Sequence, residues 1–219
     1  MPDIDIAKII DHTNLKANAT EDDIRKTCQE AIDFGFRGVC INPRWVKFSK
    51  EFLRGTKIKV ITVIDWPNGA SDTKVRVFQA NTAKEDGADE IDPVLRIGDF
   101  KMKNYDIVLD DLKKLAETLP TKVIIETGYL DDNEIEIASK LVKESGAYCV
   151  KTSTGVPPKV DIDTKVRHIE IMRKAVSDLK IKAAGGIRTY KDAEKVINAG
   201  ADIIGSSSGV EIVESMKRR

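Results

Sequence analysis

The chain has 219 residues and a formal net charge of zero, with 36 Lys plus Arg set against 36 Asp plus Glu. It therefore carries no global field of either sign to hold nucleic acid or an anionic membrane, and neither is expected as a partner. No apolar run approaches the ~20 residues that cross a bilayer, and the opening Met-Pro-Asp-Ile-Asp-Ile-Ala-Lys lacks a basic segment followed by an apolar one.

A cytosolic protein is expected, with Cys28, Cys40 and Cys149 as reduced thiols, because an odd number at wide spacings suits neither a disulfide framework nor a structural zinc site. One domain, residues 1–219, is expected at this length. Taken in order, β-rich runs fall at 11–15, 37–41, 59–64, 90–94, 122–126, 148–151, 181–184 and 202–205. Helix-patterned stretches separate them, as where Tyr105, Val108, Leu112, Leu115 and Leu119 recur at helical spacing. Thr20-x-x-Asp23 and Thr189-x-x-Asp192 are capping boxes that open two of these helices. Asp86-Gly87-Ala88-Asp89, Ser145-Gly146-Ala147-Tyr148 and Ala199-Gly200-Ala201-Asp202 each lead straight into a strand, with a glycine suited to the left-handed C′ position.

Such alternation implies parallel strands with helical crossovers, and eight units predict an α/β fold closed as a TIM (β/α)8 barrel. The first run, Asp11-His12-Thr13-Asn14, has little β propensity. Without it, a seven-stranded open sheet is the fallback.

Several strands end on a polar residue: Asp92, Glu126 and Lys151, with Lys182 just after Ile181. In a parallel barrel these ends open onto one face, where such enzymes keep their active sites. A single lysine at a strand end is as often a solvated rim group; the combination carries the inference. Lys151 and Lys182 fall on consecutive strands, whose backbones run ~4.8 Å apart. Two like charges at ~4 Å and an effective dielectric near 20 repel by about 4 kcal/mol, or about 3 pKa units, enough to free one amine of its proton near neutrality. A neutral amine is what attack on a carbonyl requires. One lysine is then a Schiff-base nucleophile, the other its perturbing neighbour, and Asp92 a carrier of protons. Strand order does not decide which lysine is which. A rival account pairs the lysines with Asp92 or Glu126 as plain ion pairs, which holds them as cations.

Ala184-Gly185-Gly186 follows the seventh strand and Gly205-Ser206-Ser207-Ser208-Gly209 the eighth, the usual phosphate site of this barrel. A phosphorylated small substrate is implied. Gly-Ser-Ser-Ser-Gly also matches a nucleophile elbow, but no histidine follows it to complete a triad. His12 is expected to orient Asp11 and His168 to lie on the surface. No histidine or cysteine spacing suggests a metal, and none is expected.

These residues are familiar as a set. Asp11-His12-Thr13, Val39-Cys40-Ile41-Asn42-Pro43, Gly87-Ala88-Asp89-Glu90-Ile91-Asp92, Val123-Ile124-Ile125-Glu126-Thr127-Gly128, Val150-Lys151-Thr152-Ser153-Thr154-Gly155, Lys182-Ala183-Ala184-Gly185-Gly186-Ile187-Arg188-Thr189 and Gly205-Ser206-Ser207-Ser208-Gly209-Val210 resemble the deoxyribose-phosphate aldolase family, in register from about residue 9 to residue 213. The resemblance implies a metal-independent class I aldolase, needing no cofactor, that reversibly cleaves 2-deoxy-D-ribose 5-phosphate to acetaldehyde and D-glyceraldehyde 3-phosphate. It implies that Lys151 forms the Schiff base, that Lys182 promotes loss of its proton, and that Asp92 relays protons. Gly155, Gly185, Gly186, Ser207 and Ser208 would hold the phosphate, Asp11, Thr13 and Cys40 lie near the substrate, and Lys122 assists the proton network. It further implies a homodimer or larger homo-oligomer.

The chain departs from the family pattern at Asp65-Trp66-Pro67-Asn68-Gly69, at Arg96 and at Val156, where glycine-phenylalanine, asparagine and a basic residue are expected. An aldolase or isomerase of another sugar phosphate, or a noncatalytic phosphosugar-binding barrel, is the alternative. For Cys40, a small apolar strand residue is weighed against a reactive thiol.

Overall fold

A computed structural model describes residues 5–217. Residues 1–4, which open the segment read above for targeting, and residues 218–219 lie outside the described part of the expected 1–219 domain.

The strands are β1 (Ile10–Asn14), β2 (Gly38–Ile41), β3 (Lys59–Ile64), β4 (Glu90–Pro93), β5 (Lys122–Ile124), β6 (Cys149–Lys151), β7 (Lys180–Ala184) and β8 (Ile203–Ser206). Around them lie α1 (Glu21–Phe34), α2 (Val46–Phe52), α3 (Thr73–Glu85), α4 (Ile97–Lys101), α5 (Tyr105–Ala116), α6 (Asp132–Glu144), α7 (Ile162–Ala175), α8 (Tyr190–Asn198) and α9 (Gly209–Lys217). The strands form one parallel sheet in the order β4-β3-β2-β1-β8-β7-β6-β5. Parallel bridges Ile91↔Thr121 and Val94↔Ile124 join its two ends, and the amide of Leu95 donates to the Ile124 carbonyl at 2.8 Å. The sheet is thereby closed into a TIM barrel.

The local signals act as their chemistry requires. Thr20 and Asp23 cap α1 reciprocally, with Asp23 N donating to Thr20 Oγ1 at 3.3 Å and Thr20 N to Asp23 Oδ2 at 2.8 Å. Thr189 and Asp192 do the same for α8, and Asp131 with Glu134 for α6. Gly87, Gly146 and Gly200 adopt φ of 97°, 83° and 111°, a region open to glycine without a Cβ clash, and each turns a helix directly into the next strand.

Outward strand residues and inward helix residues form one continuous apolar layer around the barrel. In α5, Val108, Leu112 and Leu115 are fully buried there, each worth about 1.5–3 kcal/mol relative to exposure. A separate, small apolar cluster of Cys40, Ile61 and Val63, with Leu15 and Trp66 packed on it, lies on β2, β3 and the loops that follow β1 and β3.

All eight expected strands are present, with shifted ends. β1 forms despite its composition because its register is held on both sides, Asp11 against Gly38 and against Gly205. β5 stops at Ile124 because Glu126 takes a left-handed φ of 50°. α5 ends at Ala116, and Leu119 packs on the core from the loop beyond it. β8 begins at Ile203 because Asp202 turns aside to accept from the Ile181 amide at 2.9 Å and to pair with Arg173.

Candidate active site

Strand alternation puts Asp11, Asp92, Lys122, Lys151 and Lys182 on the inner side of five different strands, and all five are almost completely buried. Lys151 and Lys182 are register partners on β6 and β7. Their ammonium groups meet at a single atom, Asp92 Oδ2, at 2.8 Å from Lys151 Nζ and 2.9 Å from Lys182 Nζ. Lys182 has a second carboxylate, Asp11 Oδ2 at 2.6 Å. Lys122 also has two, Glu90 Oε2 at 2.6 Å and Asp92 Oδ1 at 2.8 Å. Lys151 has only the oxygen that it shares.

Below this layer Arg37 bridges Asp11 Oδ1 at 2.6 Å and Glu90 Oε1 at 2.7 Å, Lys59 pairs with Glu90, and the Tyr148 hydroxyl donates to Glu90 Oε2 at 2.7 Å. The barrel floor is thus an ion lattice in which each carboxylate is shared between cations. Lys182 reaches across β8 to Asp11 because Gly205 stands in its way without a side chain: a Cβ there would lie 2.9 Å from Lys182 Cε.

Burial works against every charge in the lattice, yet the opposite charges win. Burial raises the Asp92 carboxyl, but Lys122, Lys151 and Lys182 hold it well below the usual carboxylate range. Asp11 is likewise held low, by Lys182 and Arg37 against its own desolvation, and Glu90 by Lys122 and Arg37. Lys182 is desolvated too, but Asp11 and Asp92 raise it above the ordinary lysine value, and Asp92, Asp11 and Glu90 raise Lys122 in the same way. Both are fixed cations. The ion-pair account set out from the sequence therefore holds for Lys182, with Asp11 and Asp92 as its carboxylates; Glu126 has no part in it.

The side of the pocket is apolar. Cys40 and Val63 are buried there, and Trp66 spans the mouth from the loop after β3, its indole Nε1 donating to the Thr154 carbonyl at 3.4 Å. Burial pushes the Cys40 thiol up, keeping it protonated at neutral pH, so it acts as a small apolar wall residue and not as a nucleophile. Thr13, in register with Cys40, turns its hydroxyl back to the Asp11 carbonyl at 2.9 Å.

At the rim the loops after β6, β7 and β8 come together. Gly155, Gly185 and Gly186 have φ of 93°, 81° and 77°. A Cβ at Gly185 would lie 3.4 Å from Gly155 Cα and 3.5 Å from Ser153 Cβ, so the two loops touch through their glycines. Ser206 Oγ donates to the Ile187 carbonyl at 2.6 Å and accepts from the Ser208 amide at 3.0 Å, tying the β7 and β8 loops together at the start of α9. Ser207 is exposed and Ser208 half-buried. These glycines and serines form an open, uncharged cradle of backbone amides and hydroxyls.

The residues expected from the sequence therefore divide into three connected parts: the ion lattice, the apolar wall and the cradle. Three expectations fail. His12 does not orient Asp11; strand alternation turns it outward, where its Nε2 lies 2.8 Å from Glu30 Oε2. His168 is buried on α7, not on the surface. Glu126 is not part of the convergent cluster either, since its left-handed backbone swings its carboxylate to the Thr154 amide at 2.9 Å. Arg37, Lys59 and Tyr148 were not singled out by sequence, because a charge or phenol at the start of a strand reads as a solvated edge. The interior carboxylates are each engaged by lysine or arginine, and among the described residues no group of three or more His, Cys, Asp or Glu is placed to hold a metal ion.

Residues 6–215 match the family model described as DeoC/LacD family aldolase. The chain is 49% identical to a deoxyribose-phosphate aldolase of Thermococcus gammatolerans over 225 aligned residues, covering 99% of each chain. It is 48% identical to one of Caldicellulosiruptor saccharolyticus, covering 95% of this chain and 97% of that one. Its structure resembles the tetrameric deoxyribose phosphate aldolase of Aeropyrum pernix with a TM-score of 0.88 at 33% identity, covering 97% of this chain and 91% of the other.

Proposed function

This chain belongs to the DeoC/LacD family of aldolases, and from that premise we propose that it is a class I deoxyribose-phosphate aldolase that works through a Schiff base on Lys151. The reaction is the reversible cleavage of 2-deoxy-D-ribose 5-phosphate to acetaldehyde and D-glyceraldehyde 3-phosphate. The observation that carries this reading is the meeting of Lys151 and Lys182 on one carboxylate oxygen of Asp92.

Of the three interior lysines, Lys122 and Lys182 are each held by two carboxylate oxygens, and Lys151 by a share of one. Lys151 is therefore the least tightly held of the three, with the fixed positive charge of Lys182 on the same oxygen, and is the amine placed to attack a carbonyl. In the cleavage direction its nitrogen adds to C1 of the open-chain sugar and loses water, giving a protonated imine. The C3 hydroxyl loses its proton, the C2–C3 bond breaks and glyceraldehyde 3-phosphate leaves. The bond's electrons pass into the imine as an enamine, which takes a proton at C2 and is hydrolysed to acetaldehyde and free Lys151. The protonated imine is the electron sink, so no metal or organic cofactor is required.

Asp92 pairs with the nitrogen in each of its cationic forms and passes protons through water at the mouth, with Lys122 holding its other oxygen. Asp11 anchors Lys182. Thr13 and Cys40 border the acetaldehyde end. The phosphate rests on Gly155, Gly185, Gly186, Ser207 and Ser208, at the N-terminus of α9 where backbone amides favour an anion. A homo-oligomer in the cytosol belongs to the same reading. The tetrameric Aeropyrum pernix relative and three free, buried cysteines support it, and no described helix is long and apolar enough to cross a membrane.

Incubation with acetaldehyde, reduction with borohydride and peptide mass mapping test the proposal. Reduction of the imine should place a two-carbon adduct on Lys151 alone. A protein that binds the sugar phosphate but gives no adduct, under conditions where a control aldolase labels, would be a noncatalytic binding barrel.

A further inference from the structure

Lys165, at the end of the first turn of α7, is a buried cation with no counterion among the described residues. It is 2% exposed, and its only hydrogen bond among the described residues is a long one of 3.4 Å to Ser153 Oγ. Among the described residues no carboxylate lies within ion-pairing distance, although three other interior lysines each have at least one. Glu126, just beyond β5, is the strongest source of opposing charge, followed by Asp161 at the head of α7. Glu126 directs one oxygen to the Thr154 amide, and its other oxygen, also buried, has no partner. His168, one turn further along α7, feels Lys165 as a repelling neighbour. A buried, unpaired ammonium is destabilising, and an apolar side chain of similar length would be tolerated at least as well. Packing alone gives no reason for a lysine there.

Its position gives one. Ser153, the residue it touches, lies against Gly185 and is two residues from Gly155, the pair of glycines through which the β6 and β7 loops meet. The cradle itself carries no charge, and Gly155 is followed by Val156-Pro157-Pro158. The Lys165 ammonium therefore lies directly behind an uncharged anion cradle, one side chain's width away.

We propose that Lys165 is the positioning residue of the phosphate subsite: held behind Ser153, its ammonium supplies the positive charge that draws a phosphate dianion onto Gly155, Gly185 and Gly186. This rests on the aldolase reading above and adds to it a residue that acts through Ser153, without touching the substrate. Burial pushes the Lys165 ammonium down to about 8, with Glu126 and Asp161 opposing. Its charge is therefore lost between pH 7 and 9, a range in which a sugar phosphate is already a dianion. A bound dianion restores the charge, with the proton drawn from solvent.

The test compares kcat/KM for 2-deoxyribose 5-phosphate with that for unphosphorylated 2-deoxyribose, in the wild type and in Lys165→Met, Lys165→Gln and Lys165→Arg. The preference for the phosphorylated sugar should fall about tenfold or more in Met and Gln, mainly through KM, and be kept in Arg. In the wild type it should decline from pH 7 to 9, and in Arg, which stays charged, it should not. A preference kept in Met and Gln, or a wild-type preference flat over that range, overturns the proposal. The wild-type pH series decides the matter even where a variant does not fold. Borohydride trapping on Lys151 is run in parallel. Trapping with an unchanged preference rejects Lys165 alone, whereas a wild type that never traps overturns the aldolase reading and this proposal with it.

Discussion

Gly205→Ala should disable the enzyme from a strand that contributes no reacting group. The new Cβ would lie 2.9 Å from Lys182 Cε and 3.2 Å from Ala184 Cβ, whereas carbon atoms rest at about 3.5–4.0 Å. A lysine tip usually swings clear of such a contact at little cost. Lys182 cannot, because it is fully buried and its ammonium is fastened 2.6 Å from Asp11 and 2.9 Å from Asp92. Relief requires a shift of about 0.6–1 Å, either in the lysine, which loosens both ion pairs, or in β8, whose Gly205 is in register with Asp11. Overpacking of this kind costs about 1–3 kcal/mol, or about 2–4 °C of melting temperature per kcal/mol at this size. A misplacement near 1 Å in a catalytic group lowers turnover by about 10²-fold. Steady-state cleavage of 2-deoxyribose 5-phosphate, thermal unfolding and acetaldehyde trapping read the three effects separately. KM should change less than kcat, because the cradle amides are left in place. A variant with wild-type kcat and melting temperature would show that Lys182 is not confined as described.

Two further outcomes follow from the ion lattice. Lys182→Leu should fold, because Asp11 keeps Arg37 and Asp92 keeps Lys122 and Lys151; it should lose about 3 kcal/mol of stability, the lower end for breaking a buried pair, in a denaturant titration. Its turnover should drop about 10²-fold or more with the loss of a fixed charge beside the reacting nitrogen, and an unchanged rate and pH profile would refute that role. Acid should unfold the protein cooperatively through Asp11, Glu90 and Asp92, all held low in the folded state. Their unfolded values are about 3.9–4.3, so their contribution is complete above about pH 5 and is lost as pH falls below about 4, at up to about 1.4 kcal/mol per pH unit for each group. Glu90→Gln should make the dependence of the denaturation midpoint on pH shallower by one group's share; an unchanged slope would mean that Glu90 is not paired in the folded state.

The strands and their order are legible in the sequence because apolar runs, capping boxes and helix-terminal glycines are local signals that agree with one another. Lys151, Lys182 and Asp92 are legible for a different reason: each interrupts an apolar run at the strand end that faces the mouth. Arg37 and Lys59 carry no such mark, since they begin their strands, where a charge is ordinary. His12 shows the limit of adjacency along a chain, because neighbours on a strand face opposite ways. Glu126 shows another: one residue with positive φ turns a strand-end carboxylate away from the lysine cluster and onto the Thr154 amide. Lys165 is invisible for a third reason, since a lysine in an amphipathic helix reads as its solvated face until the loop above it is placed.

The lattice also bears on why an imine should form here. Within the barrel, the three carboxylates Asp11, Glu90 and Asp92 are already matched by Lys122, Lys182 and Arg37, with Lys59 at the edge, so the layer does not require a further positive charge on the Lys151 nitrogen. A carboxylate held by Lys151 alone would keep it an ammonium and leave no nucleophile. Asp92 Oδ2 is divided between two lysines, which weakens its hold on Lys151 and makes a free amine accessible. Once a carbonyl has added and water has left, the imine nitrogen is cationic and meets the same Asp92 oxygen with the substrate attached. The same carboxylate thus holds the resting ammonium loosely and the electron-withdrawing iminium in place. Asp92→Asn should accordingly reduce the trapped imine more than it reduces sugar-phosphate binding, because the cradle that holds the phosphate does not depend on that charge.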